Sequence, residues 1–390
     1  MDYELLMPQQ VIFGWGRRTE VGQRAATLGK RVFTVCGSRT LQADGTLDQM
    51  QQSLQAAGLT VFELGTISRE PEVEDVDSLV RRLRDWGGGV PGDIILAMGG
   101  GAGLDLGKAV SALATNPHSH TVLDFLEGVG RGLKITQRPL PVIALPTTAG
   151  TGSEATKNAV ISSQAGGFKK SLRSDWMIPA IALIDPELTV SCPRKTTAWS
   201  GMDAITQLIE SLITRKSSAI TRTLCWEGLH SAIPWLKRAC MEPDCRPARE
   251  AMAHAAFLSG VTLTNAGLGM AHGIAAALGV LCQVPHGLAC AVMLSTALRV
   301  NRSSCESTLA EMAPLFASRS WSTSSAAAEF TIESIAQLGR DLGVPERLRD
   351  LNVRPEQIAE LVVASRGNSM NGNPRTLTDA ELQNLMETLW

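Results

Sequence analysis

Aromatic residues are scarce in this 390-residue chain, at 4% with a single tyrosine. Stacking surfaces for nucleic-acid bases need such rings, and duplex-binding surfaces need a basic patch. The formal net charge is −2 and Lys and Arg never gather into a run. Nucleic acid is therefore not an expected partner. No apolar run reaches the length of a membrane-spanning helix, so no membrane association is expected. The opening MDYELLMPQQ carries acids where a signal peptide carries bases, and none is read there. The eight cysteines (Cys36, Cys192, Cys225, Cys240, Cys245, Cys282, Cys290 and Cys305) form no CxxC pair. That spacing excludes an obvious disulfide framework. It leaves small core residues in a reducing cytoplasm.

What the chain does have is length and apolar content. Hydrophobic residues make up 44% of it, enough for more than one core, and two domains are the natural division. In the first half, strand-like runs alternate with helical ones. RVFTVCG (31–37), LTVFEL (59–64), DIILAMGGG (93–101), PVIALPTTAGTGS (141–153) and PAIALIDPEL (179–188) read as strands ending in loops. Helical spacing falls between them, as from Val73 to Trp86. That alternation predicts a parallel sheet with helices on both faces. From about Thr196 to Trp390 the pattern turns helical throughout. Pro193 breaks the pattern, and the expected domains are 1–190 and 191–390.

Two loops in the first half have a ligand-binding composition. In DIILAMGGGAGLDLGK a strand delivers Gly99, Gly100 and Gly101 to the start of a helix. Small residues let a phosphate approach the backbone, and the helix N-terminus offers N–H groups and positive dipole. WGGGVPG (86–92) carries another glycine triplet, better read as a surface turn. LPTTAGTGSEAT (145–156) brings Thr147, Thr148, Thr151 and Ser153 to the end of a second strand. Ligands of open parallel sheets sit at such strand ends.

In the helical half, His272 lies among small apolar residues and His286 follows a proline. Asp203 interrupts another helical pattern. One carboxylate and two imidazoles suit a divalent transition metal with an open position. Each histidine taken alone also fits a satisfied core residue.

Taken in order, FGWG, GGGAGLDLGK, PTTAGTGSE, GMDAITQLIE, NAGLGMAHGIAAALG, VPHGLA and GNPR resemble the iron-containing, or group III, alcohol dehydrogenases, from about Val11 to Trp390. The resemblance implies a Rossmann-like α/β N-terminal domain and an all-α C-terminal domain, the fold shared with dehydroquinate synthase. It implies NAD or NADP in a cleft between the domains and a divalent metal, Fe2+ or Zn2+, on the helical one. It also implies a small alcohol or aldehyde substrate and a homodimer. The family's metal ligands are an aspartate, a histidine four residues later and two further histidines. Asp203, His272 and His286 match; Gln207 stands in the second place and would offer only a neutral amide oxygen. Ala276 replaces a histidine that the family links to proton relay. The proton must then travel by water or a ribose hydroxyl.

The expected catalytic set is His272, Asp203 and Lys170, the last matching a family lysine near the cofactor. Lys169 and Arg173 lie beside it, a cluster that suits an acidic substrate or simply a solvated face. The cofactor set is Ser38, Arg39, Gly99, Gly100, Gly101, Asp105, Thr147, Thr148, Thr151 and Lys170. Ser38 and Arg39 occupy the place where many NAD-preferring members carry an aspartate, and a guanidinium there accepts a 2′-phosphate, which favours NADP. Lys108 either reaches a phosphate or pairs with Asp105. The expected reaction is metal-assisted hydride transfer between an alcohol and an aldehyde or ketone. Competing readings are a dehydroquinate-synthase-like lyase and a nucleotide-binding paralogue that has lost its metal chemistry.

Overall fold

The computed structural model describes residues 3–390. Two compact units divide at Cys192 and Pro193: Leu6–Cys192, and Pro193–Trp390 with residues 3–5.

The first unit carries strands β1 (Gln10–Phe13), β2 (Arg31–Gly37), β3 (Thr60–Thr66), β4 (Asp93–Gly99), β5 (Val142–Pro146), β6 (Asn158–Ser163), β7 (Phe168–Arg173) and β8 (Ile181–Ile184). Its helices are α1 (Val21–Ala26), α2 (Arg39–Ala43), α3 (Thr46–Ala56), α4 (Val73–Asp85) and α5 (Gly101–Ala114). Six strands form one sheet in the order β1-β8-β5-β4-β2-β3, every pair parallel. A parallel sheet covered on both faces needs continuous apolar strands. β5 satisfies this along its whole length and β4 from Ile94 onward, and both are buried throughout. Successive side chains leave opposite faces of a strand. Phe33, Val35, Ile95 and Ala97 thus join α4 and α5 in one core. Val32, Ile94, Leu96 and Met98 join α1 and α3 in the other.

From β2 the chain moves outward to β3, and from β4 it moves the opposite way to β5. The strand order therefore reverses between β2 and β4. The carboxyl ends there are Gly37 and Gly99, where open α/β sheets form their ligand crevice. Sequence periodicity left two features out. β1 is a four-residue strand that pairs only with β8, too short to show a period. β6 and β7 form a separate antiparallel hairpin, half-exposed and largely polar.

The second unit is helical: α6 (Arg194–Ile213), α7 (Ala219–Met241), α8 (Arg246–Ala266), α9 (Met270–Cys282), α10 (His286–Met312), α11 (Ser324–Asp341), α12 (Ile358–Ala364), α13 (Asn368–Gly372) and α14 (Asp379–Leu389). α6 packs against α7, α8 and α10 and is buried from Gly201 through Leu212. A helix enclosed on all sides tolerates polar residues only where they find partners, which makes Asp203, Gln207 and Glu210 conspicuous. Among the described residues, no single helix is long and apolar enough to cross a membrane.

Candidate nucleotide loop and metal centre

In the first unit, β4 ends at Gly99 with φ +131, a conformation that favours glycine. A Cβ on Gly99 would lie 2.8 Å from the Gly37 backbone, and one on Gly103 would lie 2.9 Å from the Gly37 Cα. The ends of β2 and β4 and the first turn of α5 thus meet backbone to backbone. Gly100 caps α5 without a side-chain hydrogen bond. The first N–H groups of α5 therefore depend on another acceptor, as an anion-binding helix start requires. The hydroxyl-rich loop closes on the same place. Thr147 N donates to the Gly99 carbonyl at 2.9 Å. A Cβ on Gly100 would meet the Thr148 side chain at 3.3 Å, and one on Gly101 the Thr151 side chain at 2.8 Å.

Lys108 and Asp105 hold this loop from behind. Lys108 is buried, and its Nζ donates to the Ser153 carbonyl at 2.9 Å and to Thr156 Oγ1 at 2.8 Å. It also pairs with Asp105 at 3.0 Å. Asp105 accepts from Ser153 Oγ and from Val160 N. Of the two roles open to Lys108, the structure shows the pairing, and Asp105 is spent on the same lattice. Burial pulls the Lys108 ammonium below its usual value despite Asp105. Burial pushes the neighbouring Glu154 up to about 7, with Lys108 opposing.

Ser38 caps α2, its Oγ accepting from Leu41 N at 3.4 Å, and Arg39 is exposed beside it. Lys170 lies exposed on β7, opposite Ile161. Its basic neighbours are paired with acids, Lys169 with Glu70 at 2.5 Å and Arg173 with Glu127 at 3.3 Å. That pairing sets an acid beside two of the three bases in the cluster.

In the helical unit, donor atoms from three helices converge. His272 Nε2 lies 3.2 Å and His286 Nε2 3.8 Å from Asp203 Oδ1. Cys290 Sγ lies 3.7 Å from His286 Nε2. One donor atom from each of these four residues lies within 4.8 Å of every other. Donors held about 2.0–2.3 Å from a tetrahedral cation stand roughly 3.3–3.8 Å apart, so the spacing fits a bound divalent ion. Asp203, His272 and Cys290 are buried, whereas the His286 side chain is 32% exposed. Burial alone would raise Asp203, but the His286 charge and the His272 hydrogen bond hold it down to about 2. His272, which burial would lower, is carried well above its usual value by Cys290 and Asp203.

Gln207 is placed differently. Its amide oxygen, the atom that would ligate, accepts from the Ser259 hydroxyl at 2.8 Å. Ala276, one turn beyond His272, is exposed. His230 and His254 engage Trp226 and Glu227, away from this cluster.

The sequence reading missed Glu210, Cys290 and Asn373. Glu210 Oε2 lies 2.7 Å from His272 Nδ1, and Oε1 accepts from Ala271 N at 2.7 Å. Asn373 Oδ1 accepts from Met270 N at 3.2 Å, and the Asn373 amide exchanges hydrogen bonds with Asn301. Together they cap α9, whose own N-cap, Gly269, supplies no side chain. Two of the three had a visible signal. Glu210 follows Asp203 by seven residues on one helix face, and Cys290 follows His286 by one turn.

Comparison with known proteins agrees with this geometry. The family description "Iron-containing alcohol dehydrogenase" matches residues 8–186, and "Fe-containing alcohol dehydrogenase family, C-terminal" matches residues 197–390. A 1,3-propanediol dehydrogenase of Klebsiella pneumoniae is 31% identical over 388 residues, covering 97% of each chain. The crystal structure of a 1,3-propanediol oxidoreductase superposes with a TM-score of 0.91 at 29% identity, over 100% of both chains. A sulfoacetaldehyde reductase from Bifidobacterium kashiwanohense, solved in complex with NAD+, gives 0.87 at 29% identity, covering 100% of this chain and 99% of its own. The chain belongs to the iron-containing alcohol dehydrogenase family. Its class is thus that of oxidoreductases acting on alcohols and aldehydes with NAD(P) and a divalent metal.

Proposed function

We propose that this chain interconverts a small alcohol and its aldehyde or ketone, using NADP(H) or NAD(H) and a divalent cation held by Asp203, His272 and His286. The convergence of those three side chains from α6, α9 and α10 carries the reading. When bound, the cation supplies Lewis acidity towards an alcohol oxygen and the nicotinamide supplies the hydride chemistry.

The residues divide the remaining work. Glu210 accepts from His272 Nδ1, so Nε2 is the nitrogen directed to Asp203 and available to a metal. His286 is the donor with an exposed flank, which favours substrate approach from its side. Gly99 to Gly101 and Thr148 and Thr151 form the cradle suited to a pyrophosphate. Thr147 acts through its backbone. Ser38, nearest the place where many NAD-preferring members carry an aspartate, and Arg39 beside it favour NADP over NAD. Lys170 is kept in the set on the family resemblance alone. A cytoplasmic homodimer, working apart from membranes and nucleic acid, completes the proposal, supported by family resemblance and by cysteine spacing that suits a reducing compartment.

The test is NADPH and NADH oxidation against a panel of small aldehydes, with metal content measured on the same sample. Turnover that falls on chelation and returns with Zn2+ or Fe2+ supports the proposal. Stoichiometric nucleotide binding without turnover on any aldehyde, in metal-loaded protein, favours the paralogue that has lost its chemistry.

A further inference from the structure

We propose that Cys290 is the fourth protein ligand of this cation, in place of Gln207, and that its thiolate makes the site selective for Zn2+ over Fe2+. The inference rests on the metal reading above and adds the ligand set and the metal.

The geometry carries it. His286 opens α10 and Cys290 follows four residues later, one turn on and on the same face. The thiol is fully buried, 3.7 Å from His286 Nε2, and within 4.8 Å of the donor atoms of Asp203 and His272. Its 3.7 Å spacing from His286 Nε2 matches the edge of a coordination tetrahedron. A cysteine in an apolar core position needs no such company. This one stands among the only cluster of three or more metal-binding side chains found among the described residues. Meanwhile Gln207 presents its amide oxygen to Ser259. One oxygen, two nitrogens and one sulfur form a mixed, softer set than a carboxylate with imidazoles alone. Thiolate and imidazole donors favour Zn2+, which can expand to five ligands, so an alcohol oxygen can still join these four side chains. Bond formation is balanced simply: the S–H proton leaves to solvent as the sulfur–metal bond forms, and no electron changes hands.

Cobalt provides the readout, because a Co2+–thiolate bond gives an intense near-ultraviolet charge-transfer band that oxygen and nitrogen donors do not. Tag-free apoprotein is titrated with Co2+ alone, as wild type and as Cys290→Ser. The wild type is expected to bind one equivalent with the charge-transfer band. The variant is expected to lack that band and to hold Zn2+ at least about 100-fold more weakly, beyond the 10–100-fold range of changes outside the coordination sphere. X-ray absorption on the zinc-loaded wild type is expected to show one sulfur at about 2.3 Å. Protein purified from medium holding equal zinc and iron is expected to carry zinc.

Stoichiometric Co2+ without the band, or a band that survives in Cys290→Ser, overturns the ligand assignment and leaves the metal site standing on its other three residues. Iron in preference to zinc overturns the selectivity. A wild-type chain that binds no Co2+ overturns both this inference and the metal reading beneath it.

Discussion

Glu210 stands 2.7 Å from Nδ1 of His272 with one carboxylate oxygen and caps the first turn of α9 with the other. One side chain thus fixes both the ring's tautomer and the helix that carries it. A negative charge at a helix N-terminus is favourable, and a carboxylate behind a ligating imidazole raises its basicity. Gly269 leaves the room, since a Cβ there would lie 2.8 Å from Glu210 Oε1. Glu210→Gln keeps an acceptor but loses the charge. Its metal affinity, measured by competition with a chelator, is expected to fall about 10-fold, and that of Glu210→Ala towards 100-fold. Equal affinity in all three proteins would mean that Glu210 serves the helix alone.

The pair behind the nucleotide loop predicts a stability effect. Lys108 is buried with Asp105, Ser153 and Thr156 as its partners. Removing one member of a buried pair leaves the other charge uncompensated, at a cost of about 3–5 kcal/mol. Lys108→Met is expected to lose that much in denaturant unfolding. In the double variant with Asp105→Ala the two losses should fall short of additive, with a coupling of roughly 0.5–3 kcal/mol. Strict additivity would show that the two side chains do not act as a pair.

Local periodicity made the strands β2, β4, β5 and β8 visible, because a buried parallel strand is a continuous apolar run. It made the helical half visible for the matching reason. Asp203, His272 and His286 were legible once the motifs were read together. Glu210 and Cys290 were equally visible as helix-face neighbours of those residues, yet their chemistry depends on how α6, α9 and α10 cross. A cysteine at a buried helical position has the same local pattern whether it fills space or binds a cation. Asp105 and Lys108 show the converse. The sequence left Lys108 open between a phosphate and Asp105; the pair forms, and its further partners lie at Ser153, Thr156 and Val160, which sequence spacing alone does not locate.

Glycines 100 and 103 separate the two demands on the cradle. A Cβ on Gly103 would lie 2.6 Å from the Met98 carbonyl, and backbone cannot swing aside. Gly103→Ala is expected to cost about 1–3 kcal/mol or more through overpacking. Gly100 has φ −72 and would place its Cβ only against the movable Thr148 side chain. Gly100→Ala should keep its thermal stability and bind nucleotide more weakly, as calorimetric titration would show. Undiminished nucleotide affinity in Gly100→Ala would move the phosphate site away from this turn.

Glu154 gives a pH dependence whose sign is fixed. Burial raises its carboxyl from 4.5 to about 7, so between those values the folded state holds a proton that the unfolded state has released. Stability from this group is therefore full below the unfolded value and is lost as pH rises through the folded one. The displacement corresponds to about 3 kcal/mol. Glu154→Gln has nothing to titrate there. Its stability relative to wild type should rise by about that amount between pH 4 and pH 8, read from urea unfolding of both proteins at each pH. Other groups titrate in both chains and cancel in the difference, including the acids around the metal centre. A difference that stays level across this range would mean that Glu154 titrates alike in the folded and unfolded states. Its charge would then be matched by Lys108, which burial alone pulls towards neutrality.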